Sequence, residues 1–190
     1  AALQSGIQRG RSLLDQLLTL AKAQATDDRP RSAVSVQAIY RRVLEDLMPL
    51  AEARRIDVGV DGEQDARVTL SELDLFTVLR NLVDNAIRYT PVGGRVDLTV
   101  VVEQGHAVLG VRDNGPGVTL AERERVFDPF YRALGSNQIG SGLGLSIVKA
   151  IIERTGAAVE LCFSDEAKGS GLSVRIRVPL ANAGNQLTGN

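Results

Sequence analysis

Residues 72–90, ELDLFTVLRNLVDNAIRYT, constrain this chain more than any other stretch. At about 100° per residue, Leu75, Leu79, Leu82, Val83 and Ala86 gather on one face, flanked by Phe76 and Ile87. The pattern predicts an amphipathic helix from 72 to about 90 laid on an apolar core, with Ser71 and Asp74 as a capping box. The opposite face carries Asn81, Asn85 and Arg88. Asn is a mediocre helix former, because its amide competes for backbone hydrogen bonds. A solvated polar face accounts for one such residue. Two at i and i+4, with Arg at i+7, fit a face that lines a site. A carboxamide oxygen is a neutral, hard ligand for Mg²⁺ that phosphate oxygens also hold, where a carboxylate would repel the phosphates. Arg88 could meet phosphate with a charged fork.

The rest of the chain supplies a sheet for this helix. IDVGV (56–60) and ARVTL (66–70) read as strands, and 37–54 reads as a helix. RVDLTVVVE (95–103) and HAVLGVRD (106–113) form a predicted hairpin across Gln104-Gly105. GLGLSIVKAIIERTG (142–156) is a helix stopped by Gly156, and AAVELCF (157–163) with LSVRIRVPL (172–180) makes a second antiparallel pair. Strands joined by hairpins and mixed with helices predict an α+β fold: a mixed, mostly antiparallel sheet with helices on one face. Before it, residues 3–24 carry a coiled-coil-like stripe of Leu3, Ile7, Leu14, Leu17 and Ala21, with Gly10 in the seam. Such a stripe wants a partner helix. The expected partition is a lone long helix (1–26), a linker with Pro30 and the first strand (27–36), one domain (37–180) and a frayed tail (181–190).

Composition narrows the function. A net charge of −1 gives no electrostatic case for nucleic acid. Cys162 is the single cysteine, so no internal disulfide forms; within VELCF it reads as a buried structural thiol. No apolar run approaches a membrane span.

Two glycine-rich stretches extend the site. In DNGPG (113–117) a carboxylate, Asp113, ends a strand and can accept a hydrogen bond from an exocyclic amine, which selects adenine over guanine. Gly115 and Gly117 would let the backbone approach the base. GSGLGL (140–145) opens a helix, whose free amides and positive dipole end bind phosphate. It is not a Walker loop, since no Gly-Lys-Ser/Thr follows. Either stretch alone is an ordinary turn or linker signal.

The four blocks RNLVDNAIRYT, VRDNGPGV, VFDPFYR and GSGLGLSIVKAI, in this order, resemble the N, G1, F and G2 boxes of the ATP-binding domain of bacterial sensor histidine kinases. The style is closest to orthodox membrane-bound sensors such as the quorum-sensing sensor kinase C group. The resemblance implies a Bergerat-type α/β sandwich with ATP and Mg²⁺ as cofactors. It implies Asn85 as the Mg²⁺ ligand, Asn81 near the phosphates, Arg88 on phosphate, Tyr89 near the adenine and Asp113 on its amine. Phe127 and Phe130 would anchor a mobile lid, with Arg132 on the phosphate side. Gly140, Gly142, Leu143, Gly144 and Leu145 would form the phosphate cradle. Residues 3–24 resemble the second helix of a dimerisation bundle. The phosphoacceptor helix would lie upstream, since His106, the one histidine, follows a hairpin turn. The implied partners are that helix, a second copy in a homodimer, and a response regulator; the implied setting is the cytoplasmic side of the bacterial inner membrane. Other members of the same ATPase superfamily, such as an anti-sigma serine kinase, and a non-catalytic nucleotide-binding scaffold are the alternatives. Residues 119–139 lack periodicity and are expected to form the lid.

Overall fold

The computed structural model describes residues 2–25, 32–62, 64–132 and 140–181. Its elements are α1 (Ala2–Gln24), β1 (Ser32–Ser35), α2 (Val36–Arg54), β2 (Asp57–Asp61), β3 (Arg67–Leu70), α3 (Glu72–Tyr89), β4 (Arg95–Glu103), β5 (His106–Asp113), α4 (Gly144–Thr155), β6 (Ala158–Asp165) and β7 (Ser170–Pro179). Two short 3₁₀ turns, Leu120–Glu122 and Arg125–Phe127, lie between β5 and α4. The linker 26–31, residues 133–139 of the expected lid and the tail 182–190 lie outside the described residues.

Five strands form one sheet in the order β2-β4-β5-β7-β6, and β1 pairs with β3 in a separate ribbon. Every pairing is antiparallel except β2 with β4, which β3 and α3 connect as a crossover. The expected α+β architecture is therefore the observed one. The hairpin at Gln104-Gly105 closes with both residues at positive φ (48° and 77°), the mirror-image turn that matches strand twist. Alternation decides the faces. Val96, Leu98 and Val100 of β4 and Val174, Ile176 and Val178 of β7 point into the core, while Arg175 and Arg177 stay exposed on the other side. The core is completed by Leu75, Leu79, Leu82, Val83 and Ile87 of α3, by Ile39, Tyr40 and Val43 of α2, and by Ile147, Val148 and Ile151 of α4.

Polar contacts at both ends of α3 orient the helix layer. Ser71 accepts from the amide of Asp74 at 3.1 Å, which starts α3 as its sequence predicts. The Asp74 carboxylate receives Arg154 of α4 at 2.7 Å in a buried ion pair, and the same guanidinium donates to the Ala23 carbonyl at the end of α1 (2.9 Å). At the far end of α3, Arg54 donates to the carbonyls of Ile87 (3.0 Å) and Thr90 (3.1 Å), serving acceptors that a helix terminus leaves unpaired. Arg54→Met is expected to cost about 2 kcal/mol, since charged donors to part-buried carbonyls are lost; a denaturant midpoint lowered at unchanged slope checks it.

One expectation, that for Cys162, needs correcting. The α1 stripe stays exposed, with Ile7 and Leu14 at 64% and 63%, whereas Leu20 and Ala23, on a neighbouring line, pack against the domain. The Leu3 side chain lies outside the described residues. Cys162 is half-buried rather than buried, because the alternation of β6 puts it beside Ser173 on the sheet's outer face. Partial burial and the neighbouring Glu160 push its thiol up, away from reactivity.

Candidate functional site

The candidate site runs along α3, from Asn81 and Asn85 beside the start of α4 to Tyr89 beside the loop that follows β5. Asn81 and Asn85 project from α3 toward the first turn of α4. A Cβ added at Gly144 would stand 3.3 Å from Asn81 Oδ1 and 3.3 Å from Asn85 Nδ2, so glycine is what lets the two helices approach there. Asn81 is fixed by its own amide, which donates to the Thr77 carbonyl at 2.7 Å and turns its oxygen outward from α3. The Asn85 carboxamide has no hydrogen-bond partner among the described residues, although it is half-buried. No side chain caps α4 at Leu143, so its first-turn amides face the same space. Arg88, one turn on, is held by Asp84 at 2.7 Å.

The second half of the site is the β5 end. Asp113 is 6% exposed and lies on the helix side of the sheet. Its Oδ1 accepts from the amides of Gly115 (2.8 Å) and Leu172 (3.2 Å), while Oδ2 receives no donor among the described residues. Burial pushes this carboxyl above the usual carboxylate range, and the two amides pull the other way. Gly115 and Gly117 are crowded by the protein itself. Added Cβ atoms would lie 3.0 Å from the Tyr89 carbonyl at Gly115 and 2.7 Å from the Gly171 carbonyl at Gly117. Tyr89, whose backbone carbonyl borders this loop, is 36% exposed.

The remaining sequence candidates divide. Phe127 packs against the core and anchors the segment after β5; Phe130 is 57% exposed among the described residues. Its backbone does the work: Phe130 donates to the Gly142 carbonyl at 3.0 Å, with Phe130 at φ 64° and Gly142 at φ 75°. A side chain at Gly142 would come within 2.8 Å of the Phe130 Cα. The Leu143 side chain is fully buried and its amide donates to the Ser141 hydroxyl (3.2 Å). Leu145 is partly buried, Gly140 stands in open space and Arg132 is exposed. Arg123 stacks on Phe163 of β6 (4.7 Å), joining the 3₁₀ turns to the sheet, and Arg125 stacks on Tyr131 (4.6 Å) within the same segment. Sequence reading missed Leu172, Gly171 and Ser141. Only the glycine at the start of a strand gave a readable signal.

The glycine-opened start of α4 and the sheet-end carboxylate loop thus both border one helix, α3, in an α+β fold. The model of the histidine kinase-, DNA gyrase B-, and HSP90-like ATPases matches residues 70–182, more than half the chain, and the chain belongs to that family. Its relatives there are sensor histidine kinases. It is 39% identical over 160 residues to the sensor protein QseC of Escherichia coli K12, covering 83% of this chain and 35% of QseC. The mycobacterial sensor histidine kinase MprB superposes with a TM-score of 0.68 at 31% identity, covering 79% of this chain and 97% of that one. Full-length ShkA in complex with AMPPNP superposes with a TM-score of 0.81 at 28% identity, over 96% of this chain and 38% of ShkA. The chain spans little more than a third of the length of the curated relatives it matches.

Proposed function

We propose that this chain binds Mg-ATP between α3, α4 and the Asp113 loop, and presents the γ-phosphate to a histidine on a dimerisation helix outside it, for relay to a response regulator. The observation that carries this reading is the Asn85 carboxamide, half-buried and unpartnered among the described residues, against the Gly144 end of α4. The residues fit Mg²⁺. Mg²⁺ that is shared with phosphates keeps several waters and takes few protein ligands, all oxygens, so the carboxamide oxygens of Asn85 and Asn81 suit it. Asn85 would hold it, with Asn81 beside it. The ion would supply charge neutralisation on the transferring phosphate.

The chain's own groups do the rest. First-turn amides of α4, reached through Gly140, Gly142 and Gly144, donate to phosphate oxygens. Arg88 leaves Asp84 to pair with phosphate, a short swing along the same helix face. Asp113 Oδ2 accepts the adenine amine, and Tyr89 covers the ring. The segment from Thr119 closes over the nucleotide as a lid. α1 would be the second dimerisation helix, because Ile7, Leu14 and Leu17 remain exposed along one line and suit a bundle partner in a homodimer. The full-length protein would sit in the inner membrane with this domain on the cytoplasmic side; among the described residues no helix is long and apolar enough to cross a membrane.

The nucleophile is not in this chain. His106 starts β5, bonds through Nδ1 to the Gln104 carbonyl (3.0 Å) and pairs with Glu103 and Pro179 across the sheet, with no helical setting. The chain alone is therefore expected to bind Mg-ATP without gaining acid-labile label from γ-labelled ATP. Adding a separate acceptor helix is expected to move label onto that helix. Label on this chain that disappears in His106→Ala would overturn the assignment, and acid-stable label would point to a serine kinase.

A further inference from the structure

We propose that Gly171 and Leu172, at the start of β7, are positioning residues for base recognition. They would set which oxygen of Asp113 meets the adenine amine; the inference rests on the ATP reading above. The Leu172 amide donates to Asp113 Oδ1 at 3.2 Å from 59 residues away in the chain. The Gly115 amide donates to the same oxygen at 2.8 Å. Two donors on one oxygen fix the rotation of the carboxylate and leave Oδ2 as its acceptor. An exocyclic amine can donate there, whereas the carbonyl of guanine at the same ring position would meet it oxygen to oxygen.

Leu172 reaches Asp113 only because Gly171 has no side chain. Gly171 stands at φ 68°, and its amide donates to the Gly115 carbonyl at 2.7 Å. A Cβ there would lie 2.4 Å from the Asp113 carbonyl oxygen and 2.7 Å from the Ser164 Cβ. From the loop side, a Cβ at Gly117 would lie 2.7 Å from the Gly171 carbonyl. The strand start and the base-binding loop thus close on each other with no room for a methyl group on either side. Any residue that fills this gap pushes the Leu172 donor off the carboxylate and lets the carboxylate turn.

The test is nucleotide affinity of Gly171→Ala beside the parent and Asp113→Ala. The expected result is a loss of at least about tenfold for ATP, ADP and AMP alike, with GTP affinity unchanged, so that the ATP-to-GTP preference shrinks. In the Asp113→Ala background the same substitution is expected to cost nothing further. Parent-like ATP binding, equal losses for ATP and GTP, or additive losses in the double variant would each overturn the proposal. If Gly171→Ala does not fold, the amide proton resonance of Leu172 is compared between the parent and Asp113→Ala: a marked shift supports the contact, and an unmoved resonance overturns it. A parent that fails to bind ATP overturns the site reading itself, before any variant is made.

Discussion

Asn85→Ala is expected to abolish phosphotransfer from ATP to a supplied acceptor helix, with a fall on the order of 10²–10³-fold, the scale seen when one group stabilising transition-state charge is removed. Asn85 lies on the polar face of α3, away from Leu82, Val83 and Ala86, so its loss opens no core cavity and the thermal midpoint should hold. Asn81→Ala should do less, because that carboxamide spends its amide on the Thr77 carbonyl and offers one oriented oxygen. The measurement is single-turnover transfer of labelled phosphate at saturating Mg-ATP. Transfer within a few-fold of the parent in a folded Asn85→Ala chain would refute the metal-holding role.

Asp113→Asn separates binding from stability. The new amide would face the adenine amine donor to donor, and ATP affinity should fall by about 1–3 kcal/mol, roughly ten- to a hundredfold. The nucleotide-free fold should not suffer. Burial raises the carboxyl of Asp113 above its unfolded value. Its favourable contribution is therefore present only at acid pH and is lost as pH rises through the folded value; at neutral pH the buried charge is a cost. Asn removes that cost while still accepting from Gly115 and Leu172. The variant should thus melt at or above the parent temperature at pH 7, with the difference closing as pH falls through the carboxylate range. Calorimetric titration with ATP and melting curves across pH check both halves. A variant that melts lower at pH 7 yet binds ATP normally would make Asp113 a structural residue.

Much of this could be read locally. The period of residues 72–90 predicts α3, found at Glu72–Tyr89, and Gly156 at φ 74° ends α4 where the sequence places its stop. Asn81, Asn85 and Gly144 meet as their helix faces require. The Gln104-Gly105 turn and the alternation of β4 and β7 define the sheet. These signals are local because caps, turns and periodicity depend on residues within one or two turns of each other.

What the sequence left open involves partners far apart in the chain. Leu172 holds Asp113 with a backbone amide, and every residue but proline carries one, so no residue type marks the contact. Arg154 reaches the end of α1 across 131 residues and α3 across 80, and nothing near it in sequence distinguishes it from an exposed helix-end cation. The glycines of the Asp113 loop read as room for a base, yet their nearest neighbours are β7 and Tyr89. The sequence by itself determined the elements, the faces of α3 and the residue types at the site. The tertiary structure decided which oxygen of Asp113 is left to a ligand and which side of α1 stays open, because both depend on contacts that exist only once the chain has closed.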